Sequence, residues 1–454
     1  MIFKYFLISL FVLIFITASD PFFGIDLSIR KIPKEKPGDV RELPWMSTHA
    51  FKPYILDHKD RVNDVFRVNS FYYPNVNFWF LIYTQFESSH VVIHDKNNLS
   101  LIYKVLDFSA LHAKNLPKNT LYVLQRKISD ERLDDLKSDL NFIKHNPFTL
   151  ESRAKAIYRA LDQARVKLPT HKNKWASFFS NLTSNLRTQT GQKNFIRNGV
   201  INSLPYQKFL SHYFEEKNLP RELLAIPFLE SSFNPKAESK VNALGVWQFM
   251  PLISSYYVPK RTNQFDYRSN VGIASIAAAF LMSENIKIMK TWDLAVTAYN
   301  SGTKHLVKSK RELNKSNASL EEIIKHSNSQ HFGFASKNFY SEFLALTHTL
   351  AYREDLFPGL HKHDRSDVDE SLRFSMLKCS FRLDKFLDEE QLDDVIFHNH
   401  HIADIKKPFP RGFILTTKSN LPKSKFLSLS HEQIISTKPK DWMKFLANQS
   451  CSTR

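Results

Sequence analysis

Glu230-Ser231-Ser232-Phe233-Asn234-Pro235, followed by Ala243-Leu244-Gly245-Val246-Trp247-Gln248-Phe249-Met250-Pro251, is the stretch on which the reading of this chain turns. Ala225-Ile226-Pro227-Phe228-Leu229 leads into Glu230 as an apolar segment, and a polar turn follows at once. A lone Glu beside Ser is most often a surface residue or a cap. A carboxyl leaving an apolar element is a different case. Poor solvation disfavours its ionised form, so it can hold a proton near neutral pH and act as a general acid. Gly245 suits positive φ or a close backbone approach. Gln248 offers a donor and an acceptor to a polar ligand, whereas Trp247 and Phe249 read as core.

Around this stretch the chain reads as helical. Tyr206, Phe209, Leu210, Tyr213 and Phe214 fall on one helix face. Asn218 to Leu223 restarts a helix with Pro220 in its first turn, and Pro227 predicts a kink in it. Gly272 to Met289 is rich in Ala and apolar residues, lacks Pro, and predicts a buried helix. Trp292 to Tyr299 predicts another, closed by Asn300-Ser301-Gly302. That stop sets Tyr299 toward a cleft, within reach of Glu230. Phe339, Phe343, Leu346 and Leu350 mark a third helix.

The bulk numbers agree. The 454 residues suffice for two or three domains. With 43% hydrophobic residues the chain is globular, and only 10 Gly argue against glycine-rich phosphate loops. A net charge of +18 favours nucleic acid, anionic lipid or a carboxylate-bearing polymer, although solubility alone explains it equally. No basic run interleaves with aromatics at a nucleic-acid motif spacing, which argues against nucleic acid. His398, His400 and His401 have the spacing of neither a zinc finger nor a zincin, so no metal and no organic cofactor is expected. Cys379 and Cys451 are the two cysteines; a disulfide and two free thiols are equally compatible with the sequence.

Before the helices lie several distinct segments. Lys4, an apolar run from Tyr5 to Ile16 and Thr17-Ala18-Ser19 form a secretory signal pattern over 1–19, with an uncleaved anchor as the alternative. Residues 20–45 read as a charged, proline-containing linker. Residues 46–186 form an accessory region with a strand at Val91 to Asp95 and helices at Leu121 to Phe142 and Glu151 to Leu168. Arg187 to Phe195 reads as a solvated loop by its charge pattern. Residues 366–454 carry shorter segments, with a strand at Phe413 to Thr417.

Three pieces, the Glu230-Ser231 turn, the Gly245 to Met250 segment and Ala298 to Gly302, occur in an order that resembles the catalytic core of the lytic transglycosylases of the soluble-lytic and membrane-bound D types. The resemblance covers about 187 to 355. It implies a mainly α protein: a lysozyme-like, two-lobed helical catalytic domain at 187–360, an N-terminal accessory region, and a small α+β C-terminal region. Leu383 to Lys418 of that last region distantly resembles a wall-binding lysine-motif module. The resemblance also makes Arg187 to Phe195 a lobe at one end of a glycan groove.

For function, the resemblance implies cleavage of the glycan strands of peptidoglycan. Glu230 would be the catalytic acid and then base, and Ser231, Ser239, Gly245, Gln248, Met250, Tyr299 and Asn300 would bind substrate. Between Glu230 and Asp266 the only other acid is Glu238. A site with one carboxylate implies a non-hydrolytic route, in which the N-acetyl group assists departure and the sugar's own 6-hydroxyl attacks. A catalytically silent wall-binding protein and a hydrolytic lysozyme on the same fold are the alternatives. The implied location is periplasmic or secreted, with peripheral membrane association and oligomeric state left open. Three departures stand out: Ile253 replaces a usual Thr, Ala335-Ser336 and Phe339 replace a Glu-Thr and a Tyr, and Asn270 replaces an Asp.

Overall fold

Two apolar cores on opposite faces of a small sheet organise the first half of the chain. The computed structural model describes residues 38–43, 49–327, 332–360 and 372–451. The expected signal segment and most of the expected linker lie outside the described residues. Within that linker, strand β1 (Arg41–Leu43) joins a four-stranded antiparallel sheet of order β1-β3-β2-β4, with β2 at His90–Asp95, β3 at Ile102–Asp107 and β4 at Leu186–Thr190. Side chains alternate across a strand, so Val91 and Ile93 enter one core and Val92 the other.

The smaller core belongs to the accessory region. Helices Lys118–His145, Ser152–Gln163 and Lys172–Asn185 pack Leu136, Ile143, Trp175 and Phe179 onto Val91 and Ile93. The Trp175 indole N–H donates to the Ile143 carbonyl at 2.8 Å, which satisfies its one polar atom inside the cluster.

The larger core holds the helices around Glu230. At its centre the Val271–Met289 helix is buried from Val271 to Ala279, where it is apolar nearly all round, and reaches the surface at Glu284, Lys287 and Ile288. It is long and apolar enough to cross a membrane, yet here it is wrapped by protein. Asn270 caps it by accepting from the Ile273 amide. The Phe334–Ala351 helix lies against Tyr73–Thr84, and Asn338 accepts from Asn75 at 3.3 Å across that seam. Residues 73–84 therefore share the larger core with the helices at 187–360, and the expected boundary at 186 runs through a continuous apolar cluster.

Two local expectations change. Arg187 to Thr190 is a strand paired with β2, with Arg187 opposite His94, and is not a loop. A flat count of charges missed that its side chains are half-buried against neighbours on both sides. Pro227 does not kink a helix: a 3₁₀ turn at Arg221–Ala225 ends first, and Pro227 sits in the first turn of a new helix, Ile226–Ser231.

The C-terminal region is α+β, with antiparallel strands β5 (Arg373–Leu377), β6 (Ile414–Thr417) and β7 (Phe426–Ser428) in the order β6-β5-β7. It docks tightly on the helices of the larger core. Phe374 fills the space above Gly272, the Tyr267 hydroxyl accepts from the Ile414 amide at 2.9 Å, and Asn270 donates to Asn399 at 3.1 Å. An Asp at 270 could cap the helix but could not make that donation, which accounts for Asn at this place. Cys379 and Cys451 form a disulfide with Cα atoms 5.2 Å apart.

Candidate active site

Glu230 occupies the last turn of the short Ile226–Ser231 helix, and the chain then reverses sharply. Ser232 (φ 48°) and Phe233 (φ 54°) are both left-handed, which costs about 1–2 kcal/mol for each side-chain-bearing residue. Ser231 offsets the strain. It is fully buried, its hydroxyl lies 3.0 and 2.9 Å from the carbonyls of Pro227 and Val246, and it accepts from the Asn234 amide. The hydroxyl expected to meet substrate thus ties the elbow instead. Gly199 permits the elbow's depth, since a Cβ there would collide with the Ser232 carbonyl.

The segment from 237 to 249 is a rigid loop beneath the carboxyl. Gly245 (φ 78°) passes so close to Arg268 that any side chain would strike the Arg268 carbonyl. Gln248 (φ 47°) uses its amide nitrogen on the carbonyls of Ala237 (3.0 Å) and Gly245 (2.9 Å), which leaves its amide oxygen as the free acceptor. Ser239 accepts from the Ala243 amide and keeps its hydroxyl hydrogen available. Met250 is exposed at the loop's end. Arg268, buried, holds the loop from below: it pairs with Asp266 at 2.7 Å and donates to the carbonyls of Asn242 and Phe249.

The third piece arrives from the Trp292–Ser301 helix. The Tyr299 hydroxyl donates to the Trp247 carbonyl at 2.6 Å, and its ring lies against Trp247 and Phe249 on either side of Gln248. The expected bond from Tyr299 to Glu230 is replaced by this one, although Tyr299 remains in the electrostatic field of Glu230. Asn300 accepts from Ser336 at 3.2 Å, joining this helix to Phe334–Ala351. Glu230, Gln248 and Tyr299 thus converge from three elements.

Burial first, and then the negative charge of Glu342, push the Glu230 carboxyl up to about 8. Glu230 is 7% exposed, and among the described residues its carboxyl has no protein hydrogen-bond partner. Such a group holds a proton at neutral pH and has somewhere to send it only when a ligand arrives.

Glu342 was not anticipated, and the expectation of a solitary acid is corrected by it. It lies seven residues after Ala335, hence on the same helix face two turns on. That spacing was the available signal. Its carboxylate accepts from the Tyr83 hydroxyl at 3.4 Å, and Arg187 lies in its field with the guanidinium 4.2 Å from the Phe334 ring centroid. Among the described residues no group of His, Cys, Asp and Glu is arranged to hold a metal ion.

Residues 213–321 match the family model described as the transglycosylase SLT domain. Over these residues the chain is thus similar to the lysozyme-like, helical transglycosylase class. Over about a quarter of its length the chain is also similar to membrane-bound lytic murein transglycosylases D. It is 35% identical over 118 residues to membrane-bound lytic murein transglycosylase D of Escherichia coli (strain K12), covering 26% of each chain. The same figures hold for the protein of that name from Escherichia coli O6:H1. The match thus spans about a quarter of the length of these relatives. Tyr83, Arg187 and Glu342 all lie outside residues 213–321, which the family model matches.

Proposed function

We propose that this protein is an exported peptidoglycan lytic transglycosylase that cleaves the MurNAc-GlcNAc β-1,4 bond without water and leaves 1,6-anhydro-MurNAc ends. The observation that carries this reading is the Glu230 carboxyl, desolvated at the end of a short helix and pushed up to about 8. It protonates the glycosidic oxygen as the bond breaks. The N-acetyl group of the sugar stabilises the positive anomeric carbon from within the substrate. Glu230, now ionised, takes the proton of the 6-hydroxyl as that oxygen attacks, so one group serves both steps and ends as it began. Gln248, through its free amide oxygen, and Ser239 orient the sugar. Met250 and Gly245 line its path, while Ser231, Tyr299 and Asn300 hold the loop in register.

Export rests on the signal pattern at 1–19, and a disulfide at Cys379–Cys451 suits an oxidising compartment. Mass spectrometry of products from purified sacculi tests the reading. Anhydro-muramyl ends are expected. Reducing ends would mean that water attacks and the enzyme is a lysozyme; no products with retained binding would mean a silent wall protein.

A further inference from the structure

The Glu342 carboxylate, whose charge acts on Glu230, sits among groups drawn from distant parts of the chain. The Tyr83 hydroxyl donates to it from the last turns of the Tyr73–Thr84 helix. Tyr83 is 1% exposed, so this hydroxyl has been taken out of water to serve that contact. Arg187 comes from β4, its guanidinium held on the Phe334 ring and its Nε buried with no partner among the described residues. Burying a guanidinium donor is costly unless an anion compensates, and Glu342 is the carboxylate in whose field Arg187 lies. The helix carrying Glu342 packs directly on the helix carrying Glu230.

We propose that Glu342 is a positioning residue acting through Glu230, and that the amino-terminal region completes the catalytic centre by holding Glu342 with Tyr83 and Arg187. The proposal rests on the transglycosylase reading for its activity assay, not for its structural logic. Two carboxyls in one poorly solvated site cannot both ionise cheaply, so they titrate as a pair. Negative charge on Glu342 keeps the proton on Glu230 to higher pH. Burial pushes the Glu342 carboxyl up to about 8 as well; Tyr83 and Arg187 favour its charged form against that burial and so set the pH at which it begins to repel. The groups facing the pair are Tyr299 beside Glu230, Tyr83 and Arg187 beside Glu342, and the neutral His94 ring near Arg187. The carboxylate that the family pattern places two turns earlier, where Ala335 now stands, is thereby replaced from within the same helix face.

The pH-rate profile of the full chain on purified sacculi tests this. Activity requires protonated Glu230, so it falls on the alkaline side. Glu342→Gln is expected to move that alkaline limb down by about one pH unit, and Glu342→Asp to restore most of it. Tyr83→Phe is expected to move the limb in the same direction by less. The double variant should match Glu342→Gln alone, because the hydroxyl acts only through the carboxylate. Coincident limbs for the parent and Glu342→Gln would overturn the proposal, as would additive shifts in the double variant. Should Glu342→Gln fail to fold, an unmoved limb in Tyr83→Phe overturns it. A pH titration of the neutral-carboxyl infrared band in the parent and in Tyr83→Phe reads the same shift without substrate. Absence of anhydro ends from the parent would therefore sink the transglycosylase reading while the infrared titration still decided this one.

Discussion

Tyr299 donates its hydroxyl to the Trp247 carbonyl, 2.6 Å away, and this bond joins the helix bearing Tyr299 to the loop bearing Gln248. Glu230 is left without a protein partner for its carboxyl among the described residues, which is what a proton donor to an incoming glycosidic oxygen needs. Tyrosine here builds the frame, and the glutamate carboxyl stays free of protein partners among the described residues.

Replacing Tyr299 by Phe should therefore act through the loop. It leaves the Trp247 carbonyl without its donor in a buried place, at a cost of about 1–3 kcal/mol. Release of muropeptides should fall because Gln248 loses its register, while the alkaline limb stays where it is in the parent. Urea unfolding and the pH-rate profile measure the two effects.

Glu230→Gln removes the transferable proton and keeps the shape. Release of anhydro-muropeptides is expected to drop at least about 100-fold, with binding to sacculi retained. Full activity in this variant would show that another group delivers the proton.

The same variant carries a stability signature. In the folded chain the Glu230 carboxyl keeps its proton up to about 8, against an ordinary value of 4.5. A raised carboxyl favours folding fully below the unfolded value, and that contribution is lost as pH rises through the folded one. Glu230→Gln has no such loss. It should therefore be more stable than the parent at pH 7 by about 1–3 kcal/mol, with the gap closing toward pH 4.5. Melting temperatures across this range measure it.

Gly245→Ala should be among the most damaging single-methyl changes in the chain. The backbone is left-handed (φ 78°) and the added carbon meets the Arg268 carbonyl, which is itself fixed by the Asp266 pair. A loss of at least about 2 kcal/mol is expected by chemical denaturation.

Asn270→Asp tests the role of Asn at the start of the central helix. Asp can still cap the helix, but it cannot donate to Asn399 and places a charge at a fully buried position. A loss of about 2 kcal/mol or more is expected. It should appear as earlier protease cleavage of the C-terminal region from the catalytic helices.

Much of this was legible from residues alone. Apolar runs without proline predict Val271–Met289 and Trp292–Ser301, because a buried helix needs little beyond an apolar surface and a stop. Glu230, Gly245 and Gln248 could be singled out because their chemistry depends on their immediate neighbours. The strand at Leu186–Thr190 was missed, since its partner β2 lies about ninety residues earlier and pairing leaves no local mark.

What the amino-acid order determined on its own was the set of helices, the acid at 230 and the turn chemistry around it, all of which arise from interactions a few residues apart. Only the folded chain decided that Ser231 ties an elbow, that Tyr299 serves a carbonyl, and that Glu342, Tyr83 and Arg187 gather beside Glu230. Those outcomes depend on contacts between residues 15, 52 and 259 positions apart in the chain. There, desolvation and charge add up in space, and spacing along the chain carries no record of them.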